Sequence, residues 1–166
     1  MSVDQAVRTA ARRLAEAGVE TPARDARRLM AHALRIDTDR LALASHDTLS
    51  PAAAVRFDAA VAARESRQPV AQIIGWRDFY GRRFRVTPDV LDPRPDTETL
   101  IDAALGASFD RVLDLGTGSG CILLTLLAER PGATGIGTDI SPAALAVART
   151  NAAHLNLSDR SALCSS

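Results

Sequence analysis

The sequence predicts an α/β chain: an N-terminal helical bundle, a β-hairpin linker, and the first part of a doubly wound parallel α/β domain. Three observations carry that expectation. Apolar residues recur at helical spacing from Val3 to Val61. Four of the six aromatics, Trp76, Phe79, Tyr80 and Phe84, gather around Gly81. Beyond Pro93 a strand pattern, a helix pattern, a second strand and a second helix follow in turn, the order of parallel strands joined by crossovers. The expected divisions are residues 1–68 for a helical domain, 69–93 for the hairpin linker, and 94–166 for an incomplete α/β domain.

The first helix has Val3, Ala6, Val7, Ala10 and Leu14 on one face and Gly18 as its stop. Thr21-Pro22 places a cap before a first-turn proline, and Ala26, Leu29, Met30, Ala33 and Leu34 form the next apolar face. A short helix opens at Asp37 or Thr38 and runs through Leu41 and Leu43. Ser50-Pro51 repeats the cap-proline device for a helix ending near Arg67. Two short strands, Trp76 to Tyr80 and Arg83 to Val86, are expected around a turn. Asp96, Thr97 and Glu98 supply first-turn acids and a cap for a helix through Leu105. A buried strand at Arg111 to Leu115, a helix from Ser119 to Arg130, a strand at Thr134 to Thr138 and a Ser141-Pro142-capped helix to His154 complete the pattern. The closing SDRSALCSS lacks the apolar run of a third strand, so only two parallel strands are expected.

Composition bounds the function. Of 166 residues 46% are hydrophobic, enough for a packed core, and the formal net charge is zero, which argues against binding nucleic acid through bulk charge. All 20 basic residues are arginine, a bias given no functional weight. Cys121 and Cys164 form neither a disulfide framework nor a metal spacing, and a reducing cytoplasm suits them. His32, His46 and His154 have no ligand spacing, so no metal is expected. The charged N-terminus lacks a signal-type apolar segment, and no apolar run approaches the roughly 20 residues of a membrane span.

The stretch RVLDLGTGSG, residues 111 to 120, ends a strand in three alternate glycines and opens a helix. Missing side chains there let a ligand approach the backbone. The order Asp114-x-Gly116-x-Gly118-x-Gly120 differs from the G-x-G-x-x-G of pyrophosphate sites, and no G-K-[ST] follows, which excludes a P-loop. Asp139 ends the second strand, where an acid can accept both hydroxyls of a ribose; capping of the next helix is its alternative role. Cys121 reads as a small residue packed under the loop, with a reactive thiol as the alternative.

With its later acid, this pattern resembles the Rossmann-like S-adenosylmethionine-dependent methyltransferases. The resemblance implies S-adenosyl-L-methionine as cofactor, with Asp114, Gly116, Thr117, Gly118 and Gly120 in the loop and Asp139 on the ribose. A second segment narrows the family. Gly75-Trp76-Arg77-Asp78-Phe79-Tyr80-Gly81, then Phe84 and Val86, then Pro93-Arg94-Pro95-Asp96-Thr97-Glu98 ahead of the glycine strand, resembles the bacterial HemK/PrmC protein-(glutamine-N5) methyltransferases. These act on the glutamine of the GGQ motif in class-1 peptide release factors. Ribosomal-protein glutamine methyltransferases have serine after that arginine, so PRPDTE favours the release-factor branch.

The resemblance implies that Arg94, Pro95 and Thr97 border the cofactor pocket and that Phe79 and Tyr80 shape the entry of the substrate loop. Packing of the hairpin is the competing role for these aromatics. Asp92 departs from the family, which has an apolar residue there; a carboxylate in the strand expected at that point needs solvent or a partner such as Arg94. The family's amide grip is an Asn-Pro-Pro-Tyr segment, and this sequence contains none. The expectation is therefore a C-terminally truncated member with no catalytic residue of its own, inactive alone, cytoplasmic and monomeric, whose partner is a release factor rather than nucleic acid or a membrane. The alternatives are a ribosomal-protein glutamine or N6-adenine methyltransferase fragment, or a non-catalytic release-factor-binding module.

Overall fold

The computed structural model describes residues 1–166, which divide into two compact units, Met1–Ile74 and Gly75–Ser166. The first unit is helical: α1 (Val3–Glu16), α2 (Pro22–Leu34), a 3-10 turn (Thr38–Ala42), α3 (Pro51–Glu65) and α4 (Val70–Ile74). Ser2 and Gln5 form a reciprocal capping box, and the Ser50 hydroxyl accepts the Ala53 N–H, satisfying N–H groups the helices cannot. Leu14, Leu29, Met30 and Val61 fill the core, with alanines between them that allow close helix approach.

Three details differ from expectation. Thr21 does not cap α2; its hydroxyl donates instead to buried Asp25, whose other oxygen accepts from Arg64 of α3 at 2.8 Å. The residues after Asp37 close as a single 3-10 turn rather than a regular helix. Helix α4 forms where a linker was expected, with Val70, Ala71 and Ile74 buried.

The second unit opens with an antiparallel hairpin, β1 (Trp76–Phe79) and β2 (Arg82–Arg85), joined by Tyr80-Gly81. Each strand is offset from the expected bounds because Tyr80 (φ 48°) and Gly81 (φ 71°) both turn through the left-handed region, as a type I′ hairpin requires. Then follow α5 (Asp96–Leu105), β3 (Arg111–Leu115), α6 (Cys121–Glu129), β4 (Thr134–Asp139), α7 (Pro142–His154) and β5 (Ser161–Ser165). Strands β3, β4 and β5 form one parallel sheet in that order.

The third strand corrects the two-strand expectation. Ser161–Ser165 is poor in apolar residues, yet its backbone completes a ladder with β4 from Gly135↔Ser161 to Asp139↔Ser165. Pairing and tertiary context override weak strand propensity here.

Helix α6 covers one sheet face. It comes close because β4 presents glycine to it: a Cβ at Gly135 would lie 2.5 Å from Leu123 Cδ1. Phe79 and Phe84 join Leu123, Leu124 and Leu127 in this core, their rings edge to face with centroids 6.0 Å apart. The hairpin, expected as a linker, thus packs into the core of the second unit. On the opposite sheet face Leu113 and Leu115 are 63% and 73% exposed. No helix of the protein is long and apolar enough to cross a membrane.

Candidate functional site

The site lies where β3 and β4 end. Gly116, Gly118 and Gly120 have φ of 75°, 55° and 78°, a conformation that L side chains adopt only under strain. No atom lies within 4 Å of where a Cβ on Gly116 would sit, so this part of the loop faces open space. Gly120 is different: a Cβ there would meet Leu124 Cδ1 at 2.9 Å, so this glycine lets α6 start close under the loop.

The loop is braced from within. The Thr138 carbonyl accepts the N–H groups of both Gly116 and Thr117 at 2.8 Å, and the Thr117 carbonyl accepts that of Gly120 at 2.8 Å. The Thr117 hydroxyl donates to Asp114 at 2.8 Å, and the Gly118 N–H donates to Asp139 Oδ2 at 2.9 Å. Asp139 Oδ1 accepts the Ser141 N–H at 2.9 Å, while the Ser141 hydroxyl caps α7 by accepting from Ala144. Ser141 is therefore the cap of α7, and Asp139 ties the loop to the entry of that helix, each of its oxygens keeping a lone pair for a hydroxyl donor.

This bracing decides what the loop suits. Four of its N–H groups are engaged inside the protein, so it does not present the converging donors of a phosphate cradle. It offers an open glycine surface beside a carboxylate that can accept hydroxyl groups.

The structure thus brings together Asp114, Gly116, Thr117, Gly118, Gly120 and Asp139. Arg94, Pro95 and Thr97 lie on the turn that opens α5, where the Arg94 and Pro95 carbonyls accept the Thr97 and Glu98 N–H groups. Asp92 falls in this irregular segment rather than in a strand. Phe79 is 2% exposed, so it shapes its surroundings by packing and offers a ligand no surface. Tyr80 is held by α5: its N–H donates to Glu98 at 2.8 Å and its hydroxyl to Asp102 at 2.7 Å. The Asp102 carboxylate, by accepting that proton, holds the phenol above its ordinary value. Burial holds the Cys121 thiol up as well, which fits packing under the loop rather than a reactive thiolate.

Sequence reasoning missed Asn151. It is 1% exposed, and its Oδ1 accepts the Arg85 N–H at 2.7 Å. Its amide donates to the Arg85 carbonyl at 3.1 Å and to the Ser119 carbonyl at 2.8 Å. One side chain joins β2 to the glycine loop. The available signal was a polar residue on the apolar face of α7, in register with Ala144 and Ala148.

Residues 5–75 match the model of the PrmC N-terminal domain, and residues 108–164 match a methyltransferase domain. The chain is 63% identical over 160 residues to a release factor glutamine methyltransferase of Cereibacter sphaeroides, covering 96% of this chain and 58% of that protein. It is 50% identical over 151 residues to the Rhodospirillum rubrum protein of the same name, covering 89% and 46%, and 44% identical over 168 residues to that of Bradyrhizobium diazoefficiens, covering 97% and 57%. The chain spans about half the length of the curated relatives it matches.

Proposed function

We propose, from the premise that this chain belongs to the HemK/PrmC family of protein-(glutamine-N5) methyltransferases, that it serves S-adenosyl-L-methionine-dependent methylation of the GGQ glutamine in class-1 peptide release factors. The observation that carries this reading is the glycine loop pinned to Asp139 by the Gly118 N–H. A cytoplasmic, monomeric protein that recognises a protein partner rather than nucleic acid belongs to the same proposal.

The residues present fit the cofactor. The open surface over Gly116 leaves room for its methionine portion, and the free lone pairs of Asp139 suit the two ribose hydroxyls. Thr117, bonded to Asp114, holds the loop at the end of β3, and Asn151 holds it from α7 through Ser119. Arg94, Pro95 and Thr97 are proposed to border the same pocket. When bound, the cofactor supplies a methyl group on a sulfonium, so the protein's task is orientation. An amide nitrogen is a poor nucleophile because its lone pair is delocalised, and a site must hold both its hydrogens with acceptors. Asn-Pro-Pro-Tyr, the family's segment for that grip, does not occur in these 166 residues. The chain by itself is therefore proposed to bind the cofactor without turning it over.

Calorimetry with S-adenosylhomocysteine tests the site. Saturable binding is expected, weakened at least roughly tenfold in Asp139→Ala, the scale of a lost charge-assisted hydrogen bond. Unchanged binding in that variant rules out the ribose role. Methyl incorporation into a purified release factor is expected to stay at background, and sustained turnover would refute the claim of inactivity.

A further inference from the structure

We propose that the solvent-facing side of the β1–β2 hairpin is a second binding site, which takes the carboxylates of an acidic, extended segment of a protein partner. This rests on the partner being a protein, as proposed above.

The register places Trp76 opposite Arg85 and Asp78 opposite Arg83, so all four side chains share one face. The Arg83 guanidinium lies over the Trp76 ring, 3.7 Å from its centroid, and its Nε contacts Asp78 at 3.3 Å. These contacts hold the group in place and leave its terminal N–H groups open. Arg85 is exposed and has no ion-pair partner; its backbone alone is engaged, by Asn151. With Thr150, Asn151 and His154 of α7, Trp76, Arg83 and Arg85 line a recess of about 260 Å³. The Thr150 hydroxyl donates to the Ala146 carbonyl, and the Asn151 amide is fully engaged. The two guanidiniums are thus the strong donors that face outward.

The charge pattern favours an acidic peptide over a nucleic acid. The outer face of the hairpin holds Arg83 and Arg85 against Asp78, with Arg82 turned to the other face and paired with Glu129, whereas the whole unit from Gly75 to Ser166 holds nine arginines against eleven acids. A local cationic spot without a continuing track suits one or two carboxylates, not a polyanion. The Trp76 face is occupied by Arg83, which blocks base stacking there. Arg83 and Arg85 are two residues apart on one strand face, about 7 Å. Acidic side chains two apart on an extended partner have the same spacing.

Trp76 is the sole tryptophan and lies in the recess, so its emission reports occupancy. At low ionic strength, a decapeptide of alternating Glu and Ser is expected to shift that emission saturably. Arg83→Gln with Arg85→Gln should weaken binding roughly tenfold, the scale of lost charge-assisted contacts. Arg12→Gln with Arg24→Gln, an equal charge change on exposed residues of the first unit, should leave it unchanged. Asp78→Ala frees the Arg83 Nε and should tighten it, an outcome that a merely structural arginine would not give. A purified class-1 release factor, titrated against the same variants, should follow the same order. If the peptide binds and the release factor does not, the functional proposal fails and the recess stands. No saturable shift, equal loss in the control pair, tighter binding of a single-stranded RNA oligomer, or a release factor indifferent to Arg83 and Arg85 would overturn this inference.

Discussion

Asn151 satisfies three backbone groups with one side chain, and nothing else in the second unit joins the hairpin to the glycine loop so directly. Replacing it with alanine leaves the Arg85 and Ser119 carbonyls without these donors. Urea denaturation should show a loss of roughly 2–4 kcal/mol, the scale of several buried groups left unpaired. Asn151→Asp should be no better, since a carboxylate cannot donate to two carbonyls; a loss under about 0.5 kcal/mol, typical of surface changes, would refute the assignment. At this scale the sequence was legible where a residue type is forced. The three loop glycines need positive φ, and Asp139 ends a strand beside them. Partners distant in sequence were not legible: Glu98 with the Tyr80 N–H, or Asn151 with Arg85, are facts of packing that no local pattern encodes.

Among the elements, the hairpin turn separates two costs that glycine avoids. A Cβ on Gly81 would have no atom within 4 Å, so only backbone strain opposes Gly81→Ala. That variant should lose about 1–2 kcal/mol in urea denaturation, the cost of holding an L residue at positive φ. No measurable loss would mean the turn is not held as described. Gly135 is the reverse case, an extended residue whose Cβ would strike Leu123. Helices were readable from their period and their Ser-Pro starts, as Ser50 and Ser141 demonstrate by capping α3 and α7. Strand β5 was not, because its ladder with β4 depends on a neighbour rather than on its own apolar pattern. Helix α4 was hidden for a related reason: at five residues it is too short to display a period.

For the whole molecule, the division after Ile74 separates a helical unit from an α/β unit, each with a core made from one continuous run of sequence. The change of texture near the aromatic cluster signalled that division, although the hairpin's aromatics gave no sign of which core they would enter. The sheet face bearing Leu113, Leu115 and Ile136 carries no helix, and β3 has a free edge. Such a face should bind a hydrophobic dye. Leu113→Thr with Leu115→Thr should lower the dye emission. Stability should stay within about 0.5 kcal/mol, since both side chains are already in water. Unchanged dye binding would place the apolar surface elsewhere.

The grip of Asn151 on both polar groups of the Arg85 main chain also bears on how the hairpin can be recognised. A strand laid along the outer side of β2 would find that rung already taken, so the hairpin cannot lengthen there by recruiting a visiting peptide's amides. Recognition on this side is left to charges and is blind to the visitor's own backbone. A visiting segment interrupted by proline or carrying N-methyl groups, unable to extend a sheet, meets no penalty at this rung.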